Sequence, residues 1–175
     1  MRIPEIGEGK RGASGHLIYL LRQAATIVAR HTERMLADVG LTLPLYSALT
    51  MIASYPDISS ADLSRLSMLT AQSANETVQK LIRVGLIRRR RNPGHGRILR
   101  LQITDLGAKR LARGRKLTDM LERRLLAEAR DCGEEAVRTW LANVAVVLSV
   151  SRITRSDSSI QPLVAPVEKN GPQGD

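Results

Sequence analysis

The chain has 175 residues, with 27 Lys and Arg against 17 Asp and Glu, and a formal net charge of +10. That length fits one domain with a modest core, and a hydrophobic content of 43% excludes a chain that is disordered throughout. A chain this basic favours a polyanionic partner, with nucleic acid first and an anionic membrane surface second.

The core must be built from aliphatic residues, because the chain has no Phe, one Trp and three Tyr. Leu and Ala favour helices, so the composition favours a mainly α fold. The single cysteine, Cys132, cannot form an internal disulfide. No apolar signal core follows Met1, and no apolar run approaches the roughly 18–20 residues of a membrane span. We therefore expect a cytoplasmic protein with no membrane partner.

Residues 1–14 are rich in Gly and charge, and we expect a flexible N-terminal arm there. A first helix is predicted from Gly15 to Asp38, with Gly40 as its stop signal. Its apolar stripe consists of Leu17, Leu20, Leu21, Ala24, Ile27, Val28, His31 and Met35. Thr42 is predicted to cap a second helix, which Pro56 ends.

Two further helices are predicted close together. Ser59 stands three residues before Asp62, which is the spacing of a capping box, and a short helix follows. Thr70 then caps a longer helix that stops at Gly85. The polar face of that helix carries Gln72, Glu76, Gln79 and Arg83. Such a pair predicts a helix–turn–helix.

The stretch RRRRNPGHGRILRLQIT at 88–104 predicts a β-hairpin. A strand from Leu86 to Arg91 is followed by a turn at 92–96 and a return strand in which apolar and polar residues alternate. Thr104 then caps a long helix to about Ala129, and a last helix follows. We expect residues 155–175, rich in Ser, Pro, Gly and Asn, to be disordered.

A helix–turn–helix followed by a hairpin is a winged helix. The fold class is therefore mainly α with a small β-hairpin, and the winged helix-turn-helix spans about 42–104. The second helix of the pair fits a major groove about 12 Å wide, and the hairpin lies along the neighbouring backbone.

The stretches at 61–92 and 96–107 resemble the MarR family of winged-helix transcription regulators, and the likeness covers roughly residues 15–150. The family's recognition helix runs into Leu-x-x-x-Gly-Leu-(Ile/Val)-x-Arg, matched here by Leu81, Gly85, Leu86, Ile87 and Arg89. Its wing ends in Asp-x-Arg, five variable or apolar residues, and Leu-Thr-x-x-Gly, matched by Arg97, Thr104 and Gly107, with Ile103 replacing Leu. Two residues depart from the pattern, His95 at the Asp position and Glu76 on the recognition helix.

The resemblance implies a single MarR-like domain over 15–150 that forms a homodimer through N- and C-terminal dimerisation helices, at about 15–39 and 105–150. Each subunit would offer one winged helix to half of a pseudo-palindromic site in double-stranded DNA. We expect a repressor whose affinity responds to a small-molecule effector bound between the dimer helices and the winged domains.

Eleven residues are predicted to contact DNA. Gln and Asn can read adenine, Lys80 and Arg83 suit phosphates, and Arg97 near the wing tip is the strongest single candidate. Residues such as Ser59 and Thr70 are more often simple helix caps, although helix N-termini also hold phosphates. The set is Ser59, Thr70, Gln72, Ser73, Asn75, Lys80, Arg83, Arg88, Arg90, Arg97 and Arg100.

Catalysis finds little support in the sequence. The histidines His16, His31 and His95 are scattered, and no nucleophile motif, metal spacing or phosphate-cradling loop is present, so no cofactor or metal is expected. Two alternatives stay open: a nonspecific DNA- or RNA-binding winged-helix protein, and a dimeric interaction protein without DNA binding. His95 and Glu76 keep the second of these open.

Overall fold

A computed structural model describes residues 2–67, 69–92, 95–129 and 131–150. The predicted tail at 155–175 lies outside this part of the chain. The chain divides into two units, Met1–Leu125 and Leu126–Asp175. The elements in chain order are α1 (Leu17–Ala37), α2 (Leu43–Ser54), α3 (Ser60–Leu66), α4 (Ala71–Arg83), β1 (Ile87–Asn92), β2 (His95–Ile103), α5 (Asp105–Ala127) and α6 (Glu134–Val150).

This order of elements confirms the predicted mainly α winged helix with one hairpin. The predicted flexible arm, residues 1–14, contains turns and a short 3₁₀ helix, Gly9–Arg11, within its described residues. The amide of Gln23 on α1 donates to the carbonyl of Arg11 at 3.1 Å. Whether the arm is flexible stays a prediction.

The start of α2 differs from the prediction. Thr42 occupies the N-cap position, but its side chain makes no capping hydrogen bond. The carboxylate of Glu33 on α1 instead accepts from the backbone N–H of Leu43 at 2.5 Å. A carboxylate at a helix N-terminus also interacts favourably with the helix dipole. The predicted cap position at Thr42 is therefore confirmed, but the capping hydrogen bond comes from Glu33 and not from the side chain of Thr42.

Both caps of the helix–turn–helix are confirmed. The hydroxyl of Ser59 accepts from the amide of Asp62, and the carboxylate of Asp62 accepts from the amide of Ser59, which completes a capping box at α3. The hydroxyl of Thr70 accepts from the amide of Ser73 and caps α4. Gly85 then ends the second helix with a φ of 72°, a conformation that suits glycine.

The hairpin pairs β1 antiparallel to β2, from Ile87 opposite Ile103 to Asn92 opposite His95. Two residues of the predicted turn at 92–96, Asn92 and His95, therefore belong to the strands, after a register shift between Arg91 and Asn92, and residues 93–94 lie outside the described part of the chain. Leu101 also donates its amide to the carbonyl of Ile58 at 2.8 Å, so β2 is attached to the loop before α3.

The core of the first unit lies where α2, α3 and α4 meet the hairpin. Its largest fully buried side chains are Leu36, Leu49, Leu63, Leu81, Leu86, Leu101 and Val78. Each such side chain contributes roughly 1.5–3 kcal/mol when it leaves water. This packing orients α4 with its opposite face outward.

Two residues join the hairpin to α5. Thr104 accepts from the amide of Gly107 at 3.1 Å and donates to the carbonyl of Gly85, which confirms it as a cap. Gly107 lies so close to the chain that an added Cβ would overlap the carbonyl oxygen of Leu86. The start of α5 is therefore fixed against the segment between α4 and β1.

The predicted stripe of α1 is partly exposed in the described structure. Leu17 and Ile18 are 58% and 71% exposed, and Ile27 and His31 are exposed as well. In the second unit, none of the described side chains of α6 is buried. Its exposed large apolar residues are Trp140, Leu141, Val146, Val147 and Leu148.

Candidate nucleic-acid interface

The outward face of α4 is entirely polar. Ala74, Val78 and Leu81 point into the core. The opposite side exposes Gln72, Asn75, Glu76, Gln79, Lys80 and Arg83. Residues three, four and seven apart lie on one side of a helix, so these side chains form a continuous strip along the second helix of the helix–turn–helix.

Two residues of this strip are hydrogen-bonded to each other. The amide of Gln72 donates to the carboxylate of Glu76 at 3.0 Å. The carboxylate of Glu76 is therefore paired with the side-chain amide of Gln72, one turn earlier on α4, and not with Lys80. Gln72 would need to leave this bond to read a base with both of its polar atoms.

The small hydroxyl residues of the predicted set are occupied locally. Thr70 donates its hydroxyl to the Oγ of Ser73 at 2.9 Å and accepts from the amide of Ser73. The backbone amide and the hydroxyl of Ser59 both form hydrogen bonds with Asp62 in the capping box. Their observed contacts are those of helix caps, and a DNA contact at these residues stays a prediction.

The arginines of β1 divide between the two faces of the hairpin. Arg88 and Arg90 stand opposite Gln102 and Arg100, so all four share one face. Arg88 donates through Nε to the side-chain oxygen of Gln102 at 2.9 Å. Arg89, on the other face, lines an open depression of about 630 Å³ together with the first turn of α3.

Arg100 is placed differently from the other predicted arginines. Its Nη1 donates to the carbonyl of Asp57 at 2.9 Å and lies 3.8 Å from a carboxylate oxygen of Asp62. Its side chain is only 27% exposed. The structure thus gives Arg100 partners within the protein.

Asp62 stays ionised well below neutral pH. The backbone and side-chain hydrogen bonds from Ser59 are the main causes that lower the pKa of its carboxyl, and the charges of Arg65 and Arg100 lower it further. The half-exposed carboxylate therefore remains available to both arginines.

Some predicted residues cannot be placed. The side chains of residues 91–98, including His95 and Arg97, lie outside the described part of the structure, although β2 places the backbone of Arg97 two residues after the start of the strand. The role of Arg97 therefore stays a prediction.

The predicted set omits two residues on these surfaces. Gln79 is exposed one turn along the α4 strip from Asn75 and Glu76. Arg89 lines the depression beside α3. The helical period had already put Gln79 on the polar face, but no signal in the sequence shows that Arg89 and α3 are neighbours.

A separate cavity of about 350 Å³ lies between the end of α2, the end of β2 and α5. Its apolar wall includes Ala53, Ile103 and Leu111, and Arg115, Lys116 and Asp119 also line it. Apolar walls with a few charged groups are typical of small-molecule sites.

The described residues contain no group of three or more His, Cys, Asp and Glu side chains that could hold a metal ion. Among the same residues, no helix is long and apolar enough to cross a membrane.

The chain is similar in sequence to known regulators. A family model for the MarR family matches residues 39–98. The HTH-type transcriptional repressor Rv2887 of Mycobacterium tuberculosis (strain ATCC 25618 / H37Rv) is 30% identical over 109 residues, which are 62% of this chain and 78% of that protein.

Solved structures of two regulators share the fold. The transcriptional repressor CouR bound to a 23-mer DNA duplex is 27% identical with a TM-score of 0.65, over 74% of this chain and 92% of that chain. The M. tuberculosis MarR family protein Rv2887 in complex with p-aminosalicylic acid is 26% identical with a TM-score of 0.57, over 76% of this chain and 98% of that chain.

Proposed function

This chain belongs to the MarR family of transcription regulators, and from that premise we propose that it is a ligand-responsive repressor that binds duplex DNA as a homodimer in the cytoplasm. The observation that carries the proposal is the polar strip of α4, exposed on the second helix of a helix–turn–helix and followed by a hairpin with exposed arginines. That arrangement suits a helix in a major groove with a wing on the adjacent backbone.

Base reading is assigned to the N-terminal half of α4. Gln72 and Asn75 carry amides that can pair with adenine, and Gln79 extends the strip by one turn. Ser73, which is half-buried, can reach a base edge or a phosphate from the same turn. These contacts would set the operator sequence.

Phosphate contacts are assigned to the cations around this strip. Lys80 and Arg83 lie at the end of α4, and Arg88 and Arg90 are exposed on the hairpin. Arg97 is added from the sequence pattern, since a wing-tip arginine suits a narrow minor groove. Ser59 and Thr70 could add backbone contacts at the helix N-termini.

A homodimer is supported by apolar side chains that are exposed in the described part of the chain. Leu17 and Ile18 on α1 and, in the other unit, Leu141 and Leu148 on α6 are at least half exposed. Exposed apolar groups in such number mark an association surface. A twofold dimer would present two winged helices to a pseudo-palindromic operator.

The DNA-binding assignment can be tested by selecting fragments of the protein's own genome and titrating the recovered sites against salt. Each phosphate contact adds about −0.9 to the slope of log K against log salt. We expect Lys80→Gln and Arg83→Gln each to make the slope shallower by about that amount. Lys109→Gln, which removes an exposed charge from α5, is the matched control and should leave the slope unchanged.

The same titration separates the alternatives. A nonspecific or RNA-binding protein would be competed equally by random duplex or by RNA, whereas a specific regulator retains its fragment. If no fragment is recovered although the protein is folded and dimeric, the result would favour an interaction protein without DNA binding.

For the effector we propose a small organic acid in the cavity between α2 and α5. Ile103 and Leu111 would contact its apolar part, and Arg115 and Lys116 would attract its carboxylate. The complex of Rv2887 with p-aminosalicylic acid supports this chemistry.

The probe for this site is p-aminosalicylic acid itself. We expect it to weaken operator binding, and Arg115→Gln to require about tenfold more of it, because a charge-assisted hydrogen bond is lost. Lys109→Gln should respond like the wild type. An unchanged response of the Arg115 variant would place the ligand elsewhere.

A further inference from the structure

Arg100 connects the hairpin to the loop between α2 and α3. Its guanidinium donates to the carbonyl oxygen of Asp57 at 2.9 Å and lies 3.8 Å from Oδ2 of Asp62. Its cross-strand neighbour, Arg90, is exposed. Two arginines paired across one hairpin therefore differ in their surroundings.

The loop that receives Arg100 is held in one conformation. Asp57 has a φ of 62°, and among the described residues it is the only one other than glycine with a positive φ. Side chains make that conformation unfavourable, so surrounding contacts must maintain it. The amide of Leu101 donates to the carbonyl of Ile58. Arg100 and Leu101, which are adjacent in β2, therefore bond to Asp57 and Ile58, which are adjacent in the loop.

The other partner of Arg100 belongs to the start of the helix–turn–helix. Oδ2 of Asp62 accepts from the amide of Ser59 at 2.9 Å and from its hydroxyl at 2.7 Å. The oxygen that closes the capping box of α3 is therefore the oxygen that faces the guanidinium of Arg100. The wing and the helix–turn–helix meet at one carboxylate.

We propose that Arg100 is a positioning residue that fixes the hairpin relative to α3 and α4 and does not contact DNA. The proposal rests on the proposed function, because it concerns how the two DNA-contacting elements are held together. A binding surface that is already arranged loses less entropy when it binds, so affinity would rise without any added phosphate contact. Arg100 would act through the Asp57 carbonyl and the Asp62 carboxylate.

A salt titration of operator binding distinguishes positioning from phosphate contact. Arg100→Gln and Arg90→Gln each remove one positive charge from the same cross-strand pair. We expect Arg100→Gln to weaken binding about tenfold with an unchanged salt slope. Arg90→Gln should make the slope shallower by about 0.9. Arg100→Lys, which keeps a charged donor, should recover part of the affinity and guards against a variant that fails to fold.

A second pair of variants tests the route through Asp62. Asp62→Asn and Asp57→Asn each remove one negative charge, but Arg100 uses only the backbone carbonyl of Asp57. We expect Asp62→Asn to weaken binding and Asp57→Asn to leave it unchanged. Combining Arg100→Gln with Asp62→Asn should cost less than the sum of the two, because both remove one interaction.

Three results would overturn the proposal: wild-type affinity in Arg100→Gln, a slope lowered as in Arg90→Gln, or additive effects in the double variant. If the wild-type protein binds no DNA, the proposed function fails, and amide hydrogen exchange of the free protein still decides the role of Arg100. Faster exchange confined to β1 and β2 in Arg100→Gln supports positioning, and unchanged exchange contradicts it.

Discussion

Replacing Glu33 with Ala is expected to lower the free energy of unfolding by about 1 kcal/mol, because the amide of Leu43 loses its capping carboxylate. The control is Thr42→Ala, which removes the residue at the N-cap position but no observed capping bond. It should change stability by less than about 0.5 kcal/mol. Urea denaturation measures both, and a larger loss in the Thr42 variant would contradict the assignment.

Asp62 should make stability depend on pH in the acid range. Its pKa in the folded protein is lowered from 3.8, so its stabilisation is present above that value and is lost as pH falls through the folded pKa. Asp62→Asn, which resembles the protonated carboxyl, should cost roughly 0.5–1 kcal/mol near pH 7, a modest value because the group is partly exposed. The difference from wild type should shrink when the same measurement is made at a pH below 3.8. An equal difference at both pH values in urea denaturation would refute the linkage.

At this scale, local spacing was enough to predict the caps at Ser59 and Thr70, because donor and acceptor stand three residues apart. The Glu33 cap spans ten residues and two helices, so it depends on how α1 packs beside α2. The contacts of Arg100 with Asp57 and Asp62 depend on tertiary structure in the same way.

Among the elements, the contact between α5 and the segment that joins α4 to β1 should tolerate substitution least. Gly107→Ala is expected to destabilise the protein by about 1–3 kcal/mol, because the new methyl group overlaps the Leu86 carbonyl and Ile103. In Gly114→Ala, the added Cβ would lie 3.1 Å from carbons of the Tyr46 ring. The edge of a ring can move more easily than backbone. Thermal unfolding should therefore rank Gly107→Ala as the more damaging change, and the reverse order would contradict the packing described.

Helices and hairpin could be predicted because each carries its own period of apolar residues. The ends of the two strands could not, because the Gly and Pro residues predict a turn over 92–96, whereas Asn92 pairs with His95. The polar strip of α4 followed from the same periodicity, but the depression beside Arg89 requires the position of α3.

At the scale of the whole molecule, light scattering should give about twice the chain mass of 19.3 kDa. Combining Leu141→Glu with Leu148→Glu on α6 should weaken self-association at least tenfold, on the order of the cost of burying unpaired charges. Tyr55→Glu, which alters an exposed apolar residue outside α1 and α6, is the control. A double variant that remains as dimeric as wild type would exclude this face from the interface.

The net charge of +10 predicted the class of partner but not its place on the surface. Arginines are spread over the hairpin and α5 alike, and only the packing of α4 shows which cations surround an exposed polar strip. Dimerisation was implied by the resemblance to the MarR family, and the exposed apolar residues of α1 and α6 support it.

The bond between Glu33 and Leu43 also provides a spectroscopic reporter. A charge-assisted hydrogen bond at 2.5 Å should shift the amide proton resonance of Leu43 downfield and slow its exchange with solvent. The two atoms belong to different helices, so any sliding of α1 against α2 would change that one signal. Following it while operator or an organic acid is added would show, without any substitution, whether the N-terminal helix moves when the protein binds.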